Sequence, residues 1–220
     1  MNDTTPLAAL LDAYRRHASE RAPAVAAALD GEARAIVRSG WLAGALKAGD
    51  ALPDLPLPDS PDGRVRLPDL VRDGPLVLLF YLGRWCPFCT LELRAWQRAL
   101  PRIRALGGRL AAVSPQDERE VALTRERDRL EFHLVADPGN ALARRFGIAH
   151  EVAPALRDAY LASGMTDACD GDASDWTLPM PAVYLVGRDG RIDWAHVDPD
   201  WRRRAEPADV VGRLAVLTGR

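Results

Sequence analysis

Two of the three cysteines in this 220-residue chain, Cys86 and Cys89, stand three positions apart in Trp85-Cys86-Pro87-Phe88-Cys89. A pair at that spacing can open and close a disulfide reversibly, which is dithiol redox chemistry. The thiolate is the reactive form, and the first turn of a helix favours it with partial positive charge and free amides. Arg84 stands just upstream and could lower a thiol pKa further. The same spacing could be half of a zinc site, but structural zinc takes four protein ligands. No second cysteine pair exists, and His17, His133, His150 and His196 show no paired ligand spacing, so neither a metal nor another cofactor is expected. Cys169 could resolve a disulfide with the pair across space, but it lies among Asp167, Asp170, Asp172 and Asp175, whose field should raise its pKa, and it reads rather as a bystander thiol. Those aspartates lack the alternation and closing glutamate of a calcium loop.

The pair needs a strand and a helix to hold it. Leu76-Val77-Leu78-Leu79-Phe80-Tyr81-Leu82 reads as a strand buried on both faces and is too short to span a membrane. Beyond the cysteines, Leu91, Leu93, Trp96, Leu100, Ile103 and Leu106 recur at the spacing of one helical face, ending at Gly107-Gly108. Leu110 to Val113 is a second apolar strand, which makes a βαβ unit with parallel strands. A charged helix from about Asp117 to Arg129 follows, then a strand at Phe132 to Val135, a short helix from Ala141 to Phe146 and a helix from about Val152 to Ala162. Asp189-Gly190, flanked by Ala182 to Val186 and Ile192 to Val197, predicts a hairpin, and Glu206-Pro207 opens a last helix. Pro181, just ahead of that hairpin, is a candidate cis-proline or an ordinary turn proline. Trp85 fits packing near the pair better than a substrate platform.

Upstream, residues 1–47 read as a helical extension of two helices, with Pro23 starting the second and Gly31 weakening its continuity. Such helices pack onto the main domain or a second subunit, so a homodimer is possible. The prolines from Leu52 to Gly63 suit extended edge structure before a short strand at Arg64 to Leu67. Composition sets outer bounds. A 48% apolar content supports an ordinary core, and a net charge of −2 gives no reason to expect nucleic acid or an anionic membrane as partner. Few cysteines and an N-terminus without secretory character point to the reducing cytoplasm.

Several stretches resemble the peroxiredoxin-like branch of the alkyl hydroperoxide reductase and thiol-specific antioxidant (AhpC/TSA) family. They are Gly74 to Tyr81, Arg84-Trp85-Cys86-Pro87-Phe88-Cys89, Glu92-Leu93-Arg94, Val113-Ser114-Pro115-Gln116, Phe146-Gly147-Ile148, Trp176 to Ala182 and Arg204-Ala205-Glu206-Pro207. The resemblance implies an α/β thioredoxin-like fold over residues 48–220, a central mixed sheet flanked by helices, with Pro181 as the cis-proline facing the thiols. It also implies Cys89 as the peroxide-attacking thiol. In the family pattern Leu82 takes the place of a proline, Cys86 that of a hydroxyl residue, and Pro181 that of an arginine, for which Arg84 is the substitute. The implied activity is a thiol peroxidase acting on hydrogen peroxide or organic hydroperoxides, reduced by a thioredoxin- or glutathione-type thiol. Two alternatives use the same atoms: a disulfide oxidoreductase with Cys86 as nucleophile, and a redox sensor without catalysis.

Overall fold

The computed structural model describes residues 5–54, 56–60, 63–163 and 176–219, and Cys169 with its aspartates lies outside them. Its centre is β3 (Leu76–Phe80), every residue of which is buried, because an apolar run flanked by strands on both sides has no face to give to water. On one side β3 pairs parallel with β4 (Arg109–Ser114). On the other it pairs antiparallel with β8 (Ala182–Val186). β4 continues in parallel to β5 (His133–Ala136), and β8 turns back through Asp189-Gly190 into β9 (Ile192–Val197). With β1 (Pro56–Ser60) and β2 (Gly63–Arg66) the sheet has seven strands in the order β2-β1-β5-β4-β3-β8-β9. The βαβ unit and the hairpin stand where the sequence places them.

The proline-rich β1 is not at the edge: β2 occupies that position. Proline has no N–H to give a ladder. Accordingly β1 meets β5 only at Asp59 and Ser60, beyond Pro56 and Pro58. Two further elements escape the sequence reading, the short helix α3 (Leu67–Arg72) and a two-stranded sheet of β6 (Ala149–Glu151) with β7 (Thr177–Pro179). Each strand of that pair is three residues long, too short to show alternation.

Between the strands run α4 (Pro87–Ala105), α5 (Glu118–Asp128), α6 (Ala141–Arg145) and α7 (Pro154–Ala162), and α8 (Pro207–Thr218) follows the last strand. Asp117 caps α5 by accepting from the Glu120 amide, and Arg129 ends it in the left-handed region. No helix among the described residues is long and apolar enough to cross a membrane.

The chain opens with a helical hairpin, α1 (Leu7–Arg21) and α2 (Pro23–Ser39), in which Gly31 is an interior residue of a continuous helix. It packs on the sheet domain. Leu7 and Leu11 bury against Ala95, Phe88 and Leu91, contacts worth about 1.5–3 kcal/mol per fully buried leucine. The Leu7 and Ala8 amides each donate to the Glu206 carboxylate at 3.1 Å, so one side chain at the head of α8 also caps α1. From α2, Val25 and Ile36 enter the main core, and Glu32 accepts from the Ala153 amide and meets His150 Nε2 at 2.5 Å.

Candidate active site

β3 ends at Phe80, and the chain passes through Tyr81 to Trp85 before Cys86 becomes the N-cap of α4. Cys86 Sγ accepts from the Cys89 amide at 3.3 Å, the position a serine or threonine oxygen takes in a capped helix. Pro87 follows at the first helical position, where its missing N–H costs nothing. Gly83 makes the turn possible. Its φ is +150°, and a Cβ there would lie 2.7 Å from Trp85 Nε1 and 2.9 Å from the Gln116 amide group. The loop is tied down from α5: Arg127 donates to the Arg84 carbonyl at 2.9 Å and to Thr90 Oγ1 at 3.0 Å.

Both sulfurs are buried and reduced, Cys89 completely. Cys89 Sγ accepts from the Leu82 amide at 3.4 Å and from Arg204 Nη2 at 3.8 Å. Arg204 is itself buried and donates through Nη1 to Glu92 Oε2 at 3.1 Å. One cation thus faces two acids, a thiol and a carboxyl, in a space shielded from water.

The two thiols are driven apart electrostatically. Burial alone raises Cys89, but the Cys86 thiol, the Arg204 guanidinium and the Leu82 and Gly83 amides outweigh it and bring the group down to about 6. Burial and then the neighbouring Cys89 push Cys86 well above its ordinary value. Burial likewise raises Glu92 to about 7, against the pull of Arg204 and with a push from Cys89. Near neutrality Cys89 is therefore the thiolate and Cys86 the thiol.

Arg84, the cation expected beside the thiols, turns elsewhere. Its guanidinium pairs with Glu120 on α5, and its amide donates to Gln116 Oε1 at 2.8 Å. The cation against the sulfur is Arg204, more than a hundred positions away in the chain. Trp85 packs edge-on to Tyr160, ring centroids 6.0 Å apart. Pro181 is buried just ahead of β8, whose Ala182 pairs with Phe80, so it sits at the end of the sheet from which the cysteine turn leaves. Glu92 and Arg204 belong to the resemblance but carry no role in the sequence reading. Glu92 had a local signal, a carboxyl three residues after Cys89 on the buried face of α4. Arg204 had none, being the last of three arginines in a row.

Among known proteins, the sequence profile of the AhpC/TSA family matches residues 48–195. The 1-Cys peroxiredoxin A of Oryza sativa subsp. japonica is 26% identical over 161 residues, covering 70% of this chain and 65% of that protein. The chain therefore spans just under two thirds of that relative's length. Of solved structures, the peroxidoxin BcpB from Mycobacterium tuberculosis superposes with a TM-score of 0.59 at 22% identity, over 79% of this chain and 97% of the other. A protein provisionally named thiol:disulfide interchange protein DsbE, from Chlorobium tepidum, does so with 0.55 at 21%, over 79% and 98%. The fold is thioredoxin-like, and on its own it is compatible with peroxide reduction and with disulfide exchange.

Proposed function

The chain belongs to the AhpC/TSA family, and from that premise we propose that it is a thiol-dependent peroxidase in which Cys89 attacks and Cys86 resolves. The Cys89 thiolate displaces on the terminal peroxide oxygen, the O–O bond breaks, and the leaving alkoxide or hydroxide takes a proton. Glu92, poised to be protonated near neutrality and bound to the same guanidinium, is an acid placed to supply it. Cys89 becomes a sulfenic acid. The Cys86 thiol then condenses with it, water leaves, and a disulfide remains for an external thiol to reduce.

The observation that carries this reading is the asymmetry between the sulfurs. Arg204 and the Leu82 amide hydrogen-bond to Cys89, whereas the Arg204 charge acts on Cys86 only at a distance and is outweighed there by burial and by Cys89, so the activated nucleophile is the second cysteine. A disulfide oxidoreductase opening with Cys86 would need the reverse. In this reading Arg204 stands for the family's peroxide-polarising cation, Arg84 fixes the loop, Trp85 walls the site and Pro181 closes the sheet beside it.

One observation favours the oxidoreductase reading: Cys86, not Cys89, lines the cavity beside the pair. Stopped-flow oxidation by hydrogen peroxide and by an alkyl hydroperoxide, beside reduction of insulin disulfides, separates the two. Peroxide oxidation far faster than that of free cysteine supports the peroxidase. Insulin reduction without fast peroxide oxidation overturns it.

A further inference from the structure

A cavity of about 290 Å³ lies between the α1–α2 hairpin and the cysteine turn. That is close to the smallest pockets that take small molecules, about 300 Å³. Tyr14, Ala18 and Val25 come to it from the hairpin, and Trp85, Phe88 and Trp201 from the domain, so its walls are largely apolar and aromatic. Tyr14 is fixed there edge-on to Phe88, centroids 5.0 Å apart. Cys86, and not Cys89, is the cysteine that lines this space.

Three arginines besides Arg204 border it. Arg15 pairs with Asp12, and Arg202 with Asp30 and Asp200. Arg21 has no hydrogen-bonding or ionic side-chain partner among the described residues, so a positive charge is left for an occupant. An apolar body with an anionic head matches that lining.

We propose that the cavity is a binding site for a small amphipathic thiol, an aliphatic or aromatic body bearing a carboxylate, which reduces the Cys86–Cys89 disulfide by attacking Cys86 Sγ. The proposal deepens the dithiol cycle above and rests on its disulfide. Two features select Cys86 as the sulfur attacked. It borders the cavity while Cys89 is wholly buried behind it. Attack there also expels Cys89, the sulfur that Arg204 and the Leu82 amide stabilise as a thiolate, and the better-stabilised thiolate leaves faster. The incoming thiolate forms an S–S bond to Cys86 as the Cys86–Cys89 bond breaks and its electron pair passes to Cys89. A second molecule of the same thiol then attacks the sulfur of the first in the mixed disulfide, the two form a small-molecule disulfide, and the Cys86 thiolate leaves and takes up a proton. The hairpin roof keeps this route for molecules small enough to enter beneath it.

The test uses the full chain oxidised with diamide, so that no peroxide is involved, and follows disulfide reduction by mercaptooctanoate, mercaptooctanol and mercaptoethanol. These share an alkyl thiol and differ in body and head. The expected result is saturable reduction by mercaptooctanoate, at least about tenfold faster than by mercaptoethanol. Arg21→Glu should remove the acid's advantage over the alcohol and leave mercaptoethanol unchanged. Ala18→Phe, filling the cavity, should bring both long thiols down to mercaptoethanol. Equal rates for the three thiols, or a ranking that neither variant alters, overturns the proposal. So does an advantage of chain length and carboxylate that appears only in a separate oxidation assay of the reduced protein, with a long-chain carboxylate hydroperoxide set against hydrogen peroxide. A protein inert to peroxide that keeps the thiol ranking upholds the pocket and sinks the peroxidase reading alone.

Discussion

Replacing Arg204 by methionine removes the buried cation and keeps an unbranched side chain in its place. Arg204 Nη2 lies 3.8 Å from Cys89 Sγ. At an effective dielectric constant of about 20, opposite unit charges at that separation attract by about 4 kcal/mol. With about 1.4 kcal/mol per pKa unit, the loss amounts to about three units. Cys89, held at about 6 in the native protein, should then titrate near 9. At pH 7 the thiolate fraction falls from about nine-tenths to about one hundredth, and oxidation by peroxide slows by about a hundredfold. Raising the pH toward 9 should restore much of the rate. Breaking a buried ion pair ordinarily costs about 3–5 kcal/mol, but Glu92 already stands at about 7 and escapes part of that penalty by taking a proton. Circular dichroism establishes folding, and Arg204→Lys, which keeps the charge without the fork, should fall between the two. Ultraviolet thiolate absorbance against pH gives the midpoint, and stopped flow gives the rate. A folded Arg204→Met protein whose Cys89 still titrates at about 6 refutes the reasoning.

In the native protein the rate of Cys89 oxidation should climb about tenfold per pH unit below about 6 and level off above it, because only the thiolate reacts and its folded pKa is lowered. Glu92→Gln frees the guanidinium from its carboxylate, so the Cys89 midpoint should fall below about 6, as read by iodoacetamide alkylation against pH. Gly83→Ala drives a Cβ into Trp85 and Gln116 at a left-handed φ and should cost about 1–3 kcal/mol, seen as a lower urea midpoint.

What the sequence made legible was local. The apolar run of β3, the charged stretch of α5, the Asp189-Gly190 hairpin and Pro23 at the head of α2 each carry their signal within a few residues. The Cys86–Cys89 pair was legible for the same reason. What escaped depends on packing between distant segments. Arg204 reaches Cys89 from beyond β9, and nothing in Arg202-Arg203-Arg204 says which of the three turns inward. Arg84 was the nearest cation in sequence, yet α5 brings Glu120 to its guanidinium. The hairpin's α1 and α2 were legible as helices, but helical spacing does not say what they cover. Glu206 and Glu32 dock them over the cysteine turn, and the cavity exists because of that docking.

The division of labour between the sulfurs is tested most directly by trapping the first oxidation product. Cys86→Ser and Cys89→Ser proteins, each given one equivalent of hydrogen peroxide with dimedone present, are digested and mapped by mass spectrometry. The account predicts rapid sulfenate adduct at Cys89 in Cys86→Ser and only slow oxidation of Cys86 in Cys89→Ser. A fast adduct at Cys86 with Cys89 inert would contradict it.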